Sequence, residues 1–129
     1  MLKTRITGSP LDTLQTMMDL EQLVTWQDQV LQVAVTDDLL AYIVAIVRST
    51  RESEALEFGA SPRGSLDMMR YAQATAFLAG RDYLLPDDVK AAAGPVLAHR
   101  VIIRKGTRHG TMNTELFIHE LVEGVDVPV

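Results

Sequence analysis

The sequence predicts a mainly α-helical fold, a small bundle of four to five helices with room for one short strand pair. Three observations point there. Apolar residues recur at three- and four-residue intervals through several segments. Helix start and stop signals punctuate those segments at sensible lengths. Only one brief run is rich in β-branched residues. At 129 residues the chain is long enough for one domain with one core. With 47% hydrophobic and 22% charged residues it can bury that core and is not a disordered tail.

Residues 1–16 open with Met1 to Ile6 and run into the turn-type cluster Thr7-Gly8-Ser9-Pro10. They read as a linker arriving from something that precedes the domain, which then occupies 17–129. From Asp19 to Val33, Leu20, Leu23, Val24, Val30 and Leu31 recur at helical spacing with Trp26 among them. Thr36 offers an N-cap oxygen, and Asp37 and Asp38 suit the positive end of a helix dipole. Leu39, Leu40, Ile43, Val44, Ile46 and Val47 then give a broad apolar face running to about Arg51.

Residues 52–60 read as a connector. Ser61 is placed to cap a third helix with Pro62 at its first position, running to about Ala79. Leu66, Met69, Ala72, Ala76 and Phe77 are expected to face inward, and Gly80 to end the helix in a left-handed cap. Leu85-Pro86-Asp87-Asp88 starts a fourth helix, although Leu85 lacks a capping oxygen at a cost of about 1 kcal/mol. Gly94-Pro95 is expected to break it. Val101-Ile102-Ile103 is the β-branched run, and Arg104 to Gly110 a basic loop flanked by glycine. The last helix is expected over Thr114–Val122, with Thr114 as cap and Leu116, Phe117, Leu121 and Val122 apolar.

Composition excludes several chemistries. Without cysteine there is no disulfide framework, thiol nucleophile or thiolate zinc site, which fits a cytoplasmic location. A formal charge of −5 argues against a nucleic-acid domain held by its net field. No apolar run approaches the roughly 18 residues of a membrane span. His99, His109 and His119 fall on different predicted elements with no ligand spacing, so no metal site is expected, and no Ser-His-Asp arrangement can be assembled. Gly59-Ala60-Ser61-Pro62-Arg63-Gly64 matches the opening of a P-loop, but Ser65-Leu66 stands where Lys and a metal-binding hydroxyl are required. No apolar strand ends in paired acids to hold Mg²⁺. The chain carries no catalytic residues for nucleotide hydrolysis.

Arg63 is the most informative residue. It lies in the first turn of a helix, where backbone N–H groups favour anions and a guanidinium fork suits phosphate oxygens. Asp67 and Arg70 continue the same polar face, and composition and spacing alone favour an ordinary i,i+4 surface pair between Arg63 and Asp67. Arg100, Arg104, Lys105, Arg108 and His109 concentrate positive charge around the loop. They form either a solvated face or a contact for phosphate, an acidic partner or a neighbouring subunit.

Taken in order, four stretches resemble one family: Tyr42-Ile43-Val44 through Val47-Arg48-Ser49-Thr50-Arg51; Phe58-Gly59-Ala60-Ser61-Pro62-Arg63; Gly80-Arg81-Asp82-Tyr83 leading to Pro86-Asp87-Asp88-Val89; and Pro95-Val96-Leu97-Ala98-His99-Arg100. The chain is similar, from about Pro10 to Pro128, to the C-terminal lid of MoxR-type AAA+ ATPases, relatives of the magnesium-chelatase ATPase subunit. The resemblance implies an AAA+ lid bundle packed beside a nucleotide-binding core that is missing here, with residues 1–16 as that core's exit linker. It implies that Arg63, supported by Ser61 and Pro62, is the sensor 2 arginine that touches the terminal phosphate of ATP. That contact could be made in cis or to a neighbouring subunit's nucleotide. ATP and Mg would be bound mainly by the core. The implied partners are that core and the neighbouring subunits of a ring, with chaperone-like remodelling of a client protein as the output and neither nucleic acid nor membrane involved. Gly64 departs from the family's better helix former, and Leu85 from its capping Thr or Ser. The competing reading is a stand-alone helical adaptor, in which Arg63 would be dispensable.

Overall fold

A computed structural model describes residues 14–107 and 109–128. Most of the segment expected to be a linker, residues 1–13, and Arg108 of the basic loop lie outside the described residues. Within them five α-helices surround one core, and a two-stranded antiparallel ribbon closes one side. The helices are α1 (Leu20–Leu31), α2 (Asp37–Glu52), α3 (Arg63–Leu78), α4 (Pro86–Leu97) and α5 (Thr114–Glu123), and the strands are β1 (Leu56–Phe58) and β2 (Ile102–Ile103). The mainly helical bundle with one strand pair is the expected fold class.

Helix α4 lies at the centre. It packs along α3 on one side and α5 on the other, and α2 crosses α3 and α5. The core is built from Ile43, Ile46 and Val47 of α2, Met68, Ala72 and Ala76 of α3, Val89, Ala92, Ala93 and Leu97 of α4, and Ile118 and Val122 of α5. Several α3 and α4 contributors are alanines, which lets the two helices approach closely.

Helix α1 contributes no buried residue. Asp19 caps it by accepting the Gln22 N–H at 2.7 Å, and Trp26 meets Phe77 of α3 edge-on, with ring centroids 6.3 Å apart. The short segment between α1 and α2 is better anchored. Buried Gln73 donates to the Val33 carbonyl at 2.9 Å, and Ala34 exchanges backbone bonds with Asp82 and Leu84 at 2.8 and 3.0 Å.

Some helix boundaries follow their expected signals closely. The Thr36 hydroxyl accepts the Leu39 N–H at 3.3 Å at the start of α2. Gly80 takes φ +76° after α3, with Gly80 N–H bonded to Phe77 and Arg81 N–H to Ala76. That is a Schellman motif built on a residue without Cβ strain.

Other expectations are corrected. Within the apolar face of α2, Leu40 and Val44 are exposed. In α3 the inward face is Gly64, Met68, Ala72, Gln73 and Ala76, whereas Leu66, expected inside, is 61% exposed. The core-facing position in the first turn is a glycine, which carries no apolar signal, so the pattern anchors wrongly on Leu66. Helix α4 is not broken at Gly94-Pro95: it continues to Leu97 and passes into a 3-10 turn over Ala98–Arg100. Pro95 forfeits one backbone hydrogen bond, but Gly94, Val96 and Leu97 are all buried, and that packing holds the helix together. In α5 the cap is Asn113 rather than Thr114; its Oδ1 accepts the N–H groups of Glu115 and Leu116 at 2.8 and 3.4 Å. Leu116 is exposed and Ile118 takes its expected place inside. Residues 56–58, read as part of a connector, pair as β1 with β2, setting Leu56 against Ile103 and Phe58 against Ile102.

Candidate functional site at the start of helix α3

The segment from Gly59 to Arg63 leaves the ribbon and enters α3 under tight constraint. The Thr50 hydroxyl, fully buried near the end of α2, donates to the Val47 carbonyl at 2.7 Å and accepts the Ala60 N–H at 2.9 Å. Gly59 lies so close to α2 that a Cβ there would stand 2.5 Å from the Thr50 carbonyl oxygen and 2.7 Å from the Arg51 backbone. Gly64, one residue beyond the arginine, is buried too. A Cβ on it would meet Leu97 at 3.3 Å and Ala60 at 3.6 Å. The first turn of α3 sits directly on Leu97, and a side chain at 64 would have to push that leucine aside by a few tenths of an ångström.

The turn itself differs from expectation. Ser61 does not cap with its side chain. Pro62, with φ −55° and ψ −25°, is the residue ahead of the helix, which has no side-chain cap. The Ser61 carbonyl instead accepts the Gly64 N–H at 2.8 Å, and the Pro62 carbonyl accepts the Ser65 N–H at 3.1 Å, in the tighter 3-10 pattern. Two of the first-turn N–H groups expected to await an anion are thus already engaged. What the turn offers is the Arg63 side chain.

Arg63 is exposed. The i,i+4 pair with Asp67 does not form. Asp67 is ion-paired instead with Arg100, Nη2 and Oδ2 lying 2.8 Å apart, with both side chains about two-thirds removed from water. Among the described residues the Arg63 side chain has neither an ion pair nor a hydrogen bond. Arg70, further along, donates to Gln73 at 3.1 Å.

Of the remaining basic residues, Arg100, Arg104 and His109 each meet different groups. Arg100 holds Asp67 and donates through Nε to His99 Nε2 at 3.2 Å. Arg104 is stitched to the ribbon, its N–H to the Ala55 carbonyl at 2.8 Å and its guanidinium to the Leu56 carbonyl at 3.4 Å. His109 lies edge-on to Phe117, ring centroids 5.3 Å apart, and His119 is exposed on α5. No group of acidic or histidine side chains suited to a metal ion occurs among the described residues, and no helix among them is long and apolar enough to cross a membrane.

A second arginine, which no local sequence pattern singles out as structural, holds the start of α4. Arg81 forms a two-pronged bridge to Asp88, Nη1 to Oδ2 at 2.6 Å and Nη2 to Oδ1 at 2.7 Å. Asp88 Oδ2 also accepts the Leu85 N–H at 2.9 Å, the acid half of a capping box whose other half a leucine cannot supply. The hydrogen bonds from Arg81 hold the Asp88 carboxyl below its ordinary pKa. Burial opposes the shift, and the Leu85 N–H and the arginine charge reinforce it. The position of Asp88 three residues after Leu85, where a capping-box acid belongs, is the sequence signal for its bond to the Leu85 N–H, and nothing local signals Arg81.

Comparison with known proteins adds independent findings. The family model for the AAA lid domain matches residues 48–120. The chain is 36% identical over 120 residues to the uncharacterized protein YeaC of Bacillus subtilis, covering 93% of this chain and 38% of that protein. It is 33% identical over 99 residues to Chaperone MoxR1 of Mycobacterium tuberculosis, covering 70% of this chain and 26% of that one. A crystal structure from Cytophaga hutchinsonii, provisionally described as an ATPase, superposes with a TM-score of 0.84 at 26% identity. The match covers 98% of this chain and 41% of the other. The chain thus spans about two fifths of the length of YeaC and of that solved structure.

Proposed function

Because the chain belongs to the AAA lid domain family, in the form carried by MoxR-type ATPases, we propose that it is the C-terminal lid of such an ATPase and that Arg63 reads the terminal phosphate of ATP. The observation that carries this reading is that Arg63 is exposed and unpaired although an acid stands four residues away on the same helix. The pair open to it on its own helix is worth only a few tenths of a kcal/mol, and its acid is engaged by Arg100, so the guanidinium is available to a ligand. Its backbone is also pinned on both sides, by Thr50 and Gly59 before it and by Gly64 after it. The pinned backbone fixes where the side chain starts, while ordering the guanidinium itself on a phosphate still costs about 0.5–1.5 kcal/mol.

The fit to ATP and Mg is partial, as a lid requires. One guanidinium can meet one phosphate oxygen edge, Ser61 and Pro62 shape the turn through their carbonyls, and no described residues form a metal cluster. The nucleotide core would hold the metal and the rest of the nucleotide. When bound, ATP supplies a terminal phosphate that ADP lacks. A charge-assisted hydrogen bond to it is worth roughly 1.5–3 kcal/mol, enough to bias the lid position between ATP and ADP states by one to two factors of ten. The lid would carry that bias to its own core or to the next subunit of a ring, and so to the remodelling of a client protein in the cytoplasm.

The test is Arg63→Ala in the full-length ATPase that carries this lid, reading ATP hydrolysis and the ratio of ATP to ADP affinity. The expected result is a loss of about tenfold in that ratio. Unchanged hydrolysis and an unchanged ratio would remove the sensing role.

A further inference from the structure

Asp67 stands at i+4 from Arg63 on α3, the separation at which an acid and a base on one helix face meet. The arginine nevertheless has no partner among the described residues, and Asp67 is ion-paired at 2.8 Å with Arg100 in the 3-10 turn that follows α4. The pair is better sheltered than an exposed i,i+4 bridge would be, with 29% and 36% of the two side chains accessible, so Asp67 prefers its distant partner. The Arg100 guanidinium is further oriented by His99 Nε2 at 3.2 Å. It reaches Asp67 from beyond the end of α4, a helix that continues through Gly94-Pro95 to Leu97.

Resting on the sensing role of Arg63, we infer that Arg100 is a positioning residue for that arginine: by binding and neutralising Asp67 it keeps the acid from capturing Arg63 and from repelling the phosphate. Arg100 needs no contact with nucleotide to do this. Two effects of its removal add in the same direction. Asp67 becomes available to Arg63, drawing the guanidinium back along its own helix. The site also gains one uncompensated negative charge within a helical turn of the place where a phosphate must sit.

A tether account makes the opposite forecast for one variant. If the Arg100–Asp67 pair merely held the end of α4 to α3, cutting it from either side would do the same harm. Under the positioning account only the cut made at Arg100 does harm. The test uses the full-length ATPase and reads the ATP-to-ADP affinity ratio for wild type, Arg63→Ala, Arg100→Ala, Asp67→Asn and the double variant Arg100→Ala/Asp67→Asn, with thermal melting as the check on folding. Arg100→Ala should lower the ratio by about threefold to tenfold, from partial capture of Arg63 plus the unbalanced charge. Asp67→Asn should leave it at or above wild type, and the double variant should return it to near wild type.

A ratio lowered equally by Arg100→Ala and Asp67→Asn, or an Arg100→Ala defect that Asp67→Asn fails to rescue, overturns the inference while the sensing role stands on its own Arg63→Ala result. An Arg63→Ala protein with an unchanged ratio overturns both.

Discussion

Helix α3 starts directly after Pro62 and α4 starts at Pro86, and the residue ahead of each first turn, Pro62 or Leu85, has no side-chain oxygen. Helix α4 makes up the deficit with charge: Asp88 takes the Leu85 N–H, and Arg81 grips both carboxylate oxygens. Helix α3 makes it up with backbone. Gly59 presses on the end of α2, the Thr50 hydroxyl receives the Ala60 N–H, and Gly64 lies against Leu97. The outcome for the two arginines is opposite. Arg81 is consumed by the fold, while Arg63 is left over. An arginine can be kept for a ligand only where other groups have already solved the structural problem beside it, and the first turn of α3 is built that way.

The sharpest way to break the comparison is to disturb the backbone contact on which α3 relies. A Cβ at position 59 would stand 2.5 Å from the Thr50 carbonyl oxygen and 2.7 Å from the Arg51 backbone. No side-chain rotation relieves such a clash, so chain segments must move apart. Gly59→Ala should cost about 3 kcal/mol, at the upper end of overpacking penalties. Chemical denaturation would measure it, and a cost below about 1 kcal/mol would mean that α2 and the entry to α3 are not pressed together.

Next comes the charge-based start. Asp88→Ala removes the acceptor for Leu85 and leaves Arg81 without its partner. Because Arg81 can turn toward water, the loss should fall short of that for a fully buried pair, at about 2 kcal/mol. The same carboxylate predicts an acid dependence. Its folded-state pKa lies below the ordinary 3.8 because of Arg81. Its contribution is therefore complete above that ordinary value and is lost as pH falls through the folded one. Asp88→Asn, which keeps an acceptor for Leu85, should flatten the acid limb of a stability-against-pH curve, and an unchanged limb would show that the bridge does not govern it. Smaller again is Thr50→Val, which keeps shape but strands the buried Ala60 N–H. It should cost about 1–2 kcal/mol in the same denaturation assay.

The two helix starts also differ in how far the sequence discloses them. Thr36 and Gly80 announce their boundaries because their chemistry is local: a hydroxyl three residues before an N–H, and a glycine where φ must be positive. The start of α4 is half legible, since Asp88 occupies the position of a capping-box acid, but its union with Arg81 needs the α3–α4 turn to bring them together. The start of α3 is misread from sequence. Ser61-Pro62 looks like a capped start, yet Ser61 contributes its carbonyl, and the inward residue of the first turn is a glycine. Pro95 misleads for the converse reason. A local helix breaker is overridden by the burial of Val96 and Leu97, which appears only once α3 and α5 pack along α4. Of the candidate site, Arg63 itself is legible as a cation near a helix start. That Asp67 belongs to Arg100, thirty-three positions away, is a tertiary fact with no local sign.

The smallest expected effect is the most discriminating. Arg63 is exposed and its side chain has no ion pair or hydrogen bond among the described residues. Truncating it removes no interaction on which the fold depends, and alanine is a better helix residue than arginine at an exposed position. Arg63→Ala in this chain should therefore change unfolding free energy by no more than about 0.5 kcal/mol, the range of ordinary surface substitutions. Thermal or chemical denaturation of the 129-residue chain can measure it. A loss above about 1 kcal/mol would place Arg63 with Arg81 among the structural arginines, and the contrast between the two helix starts would collapse. A near-zero change, set beside an altered ATP-to-ADP ratio in the full-length ATPase, separates the two roles cleanly: the residue would then act on a ligand and not on the fold.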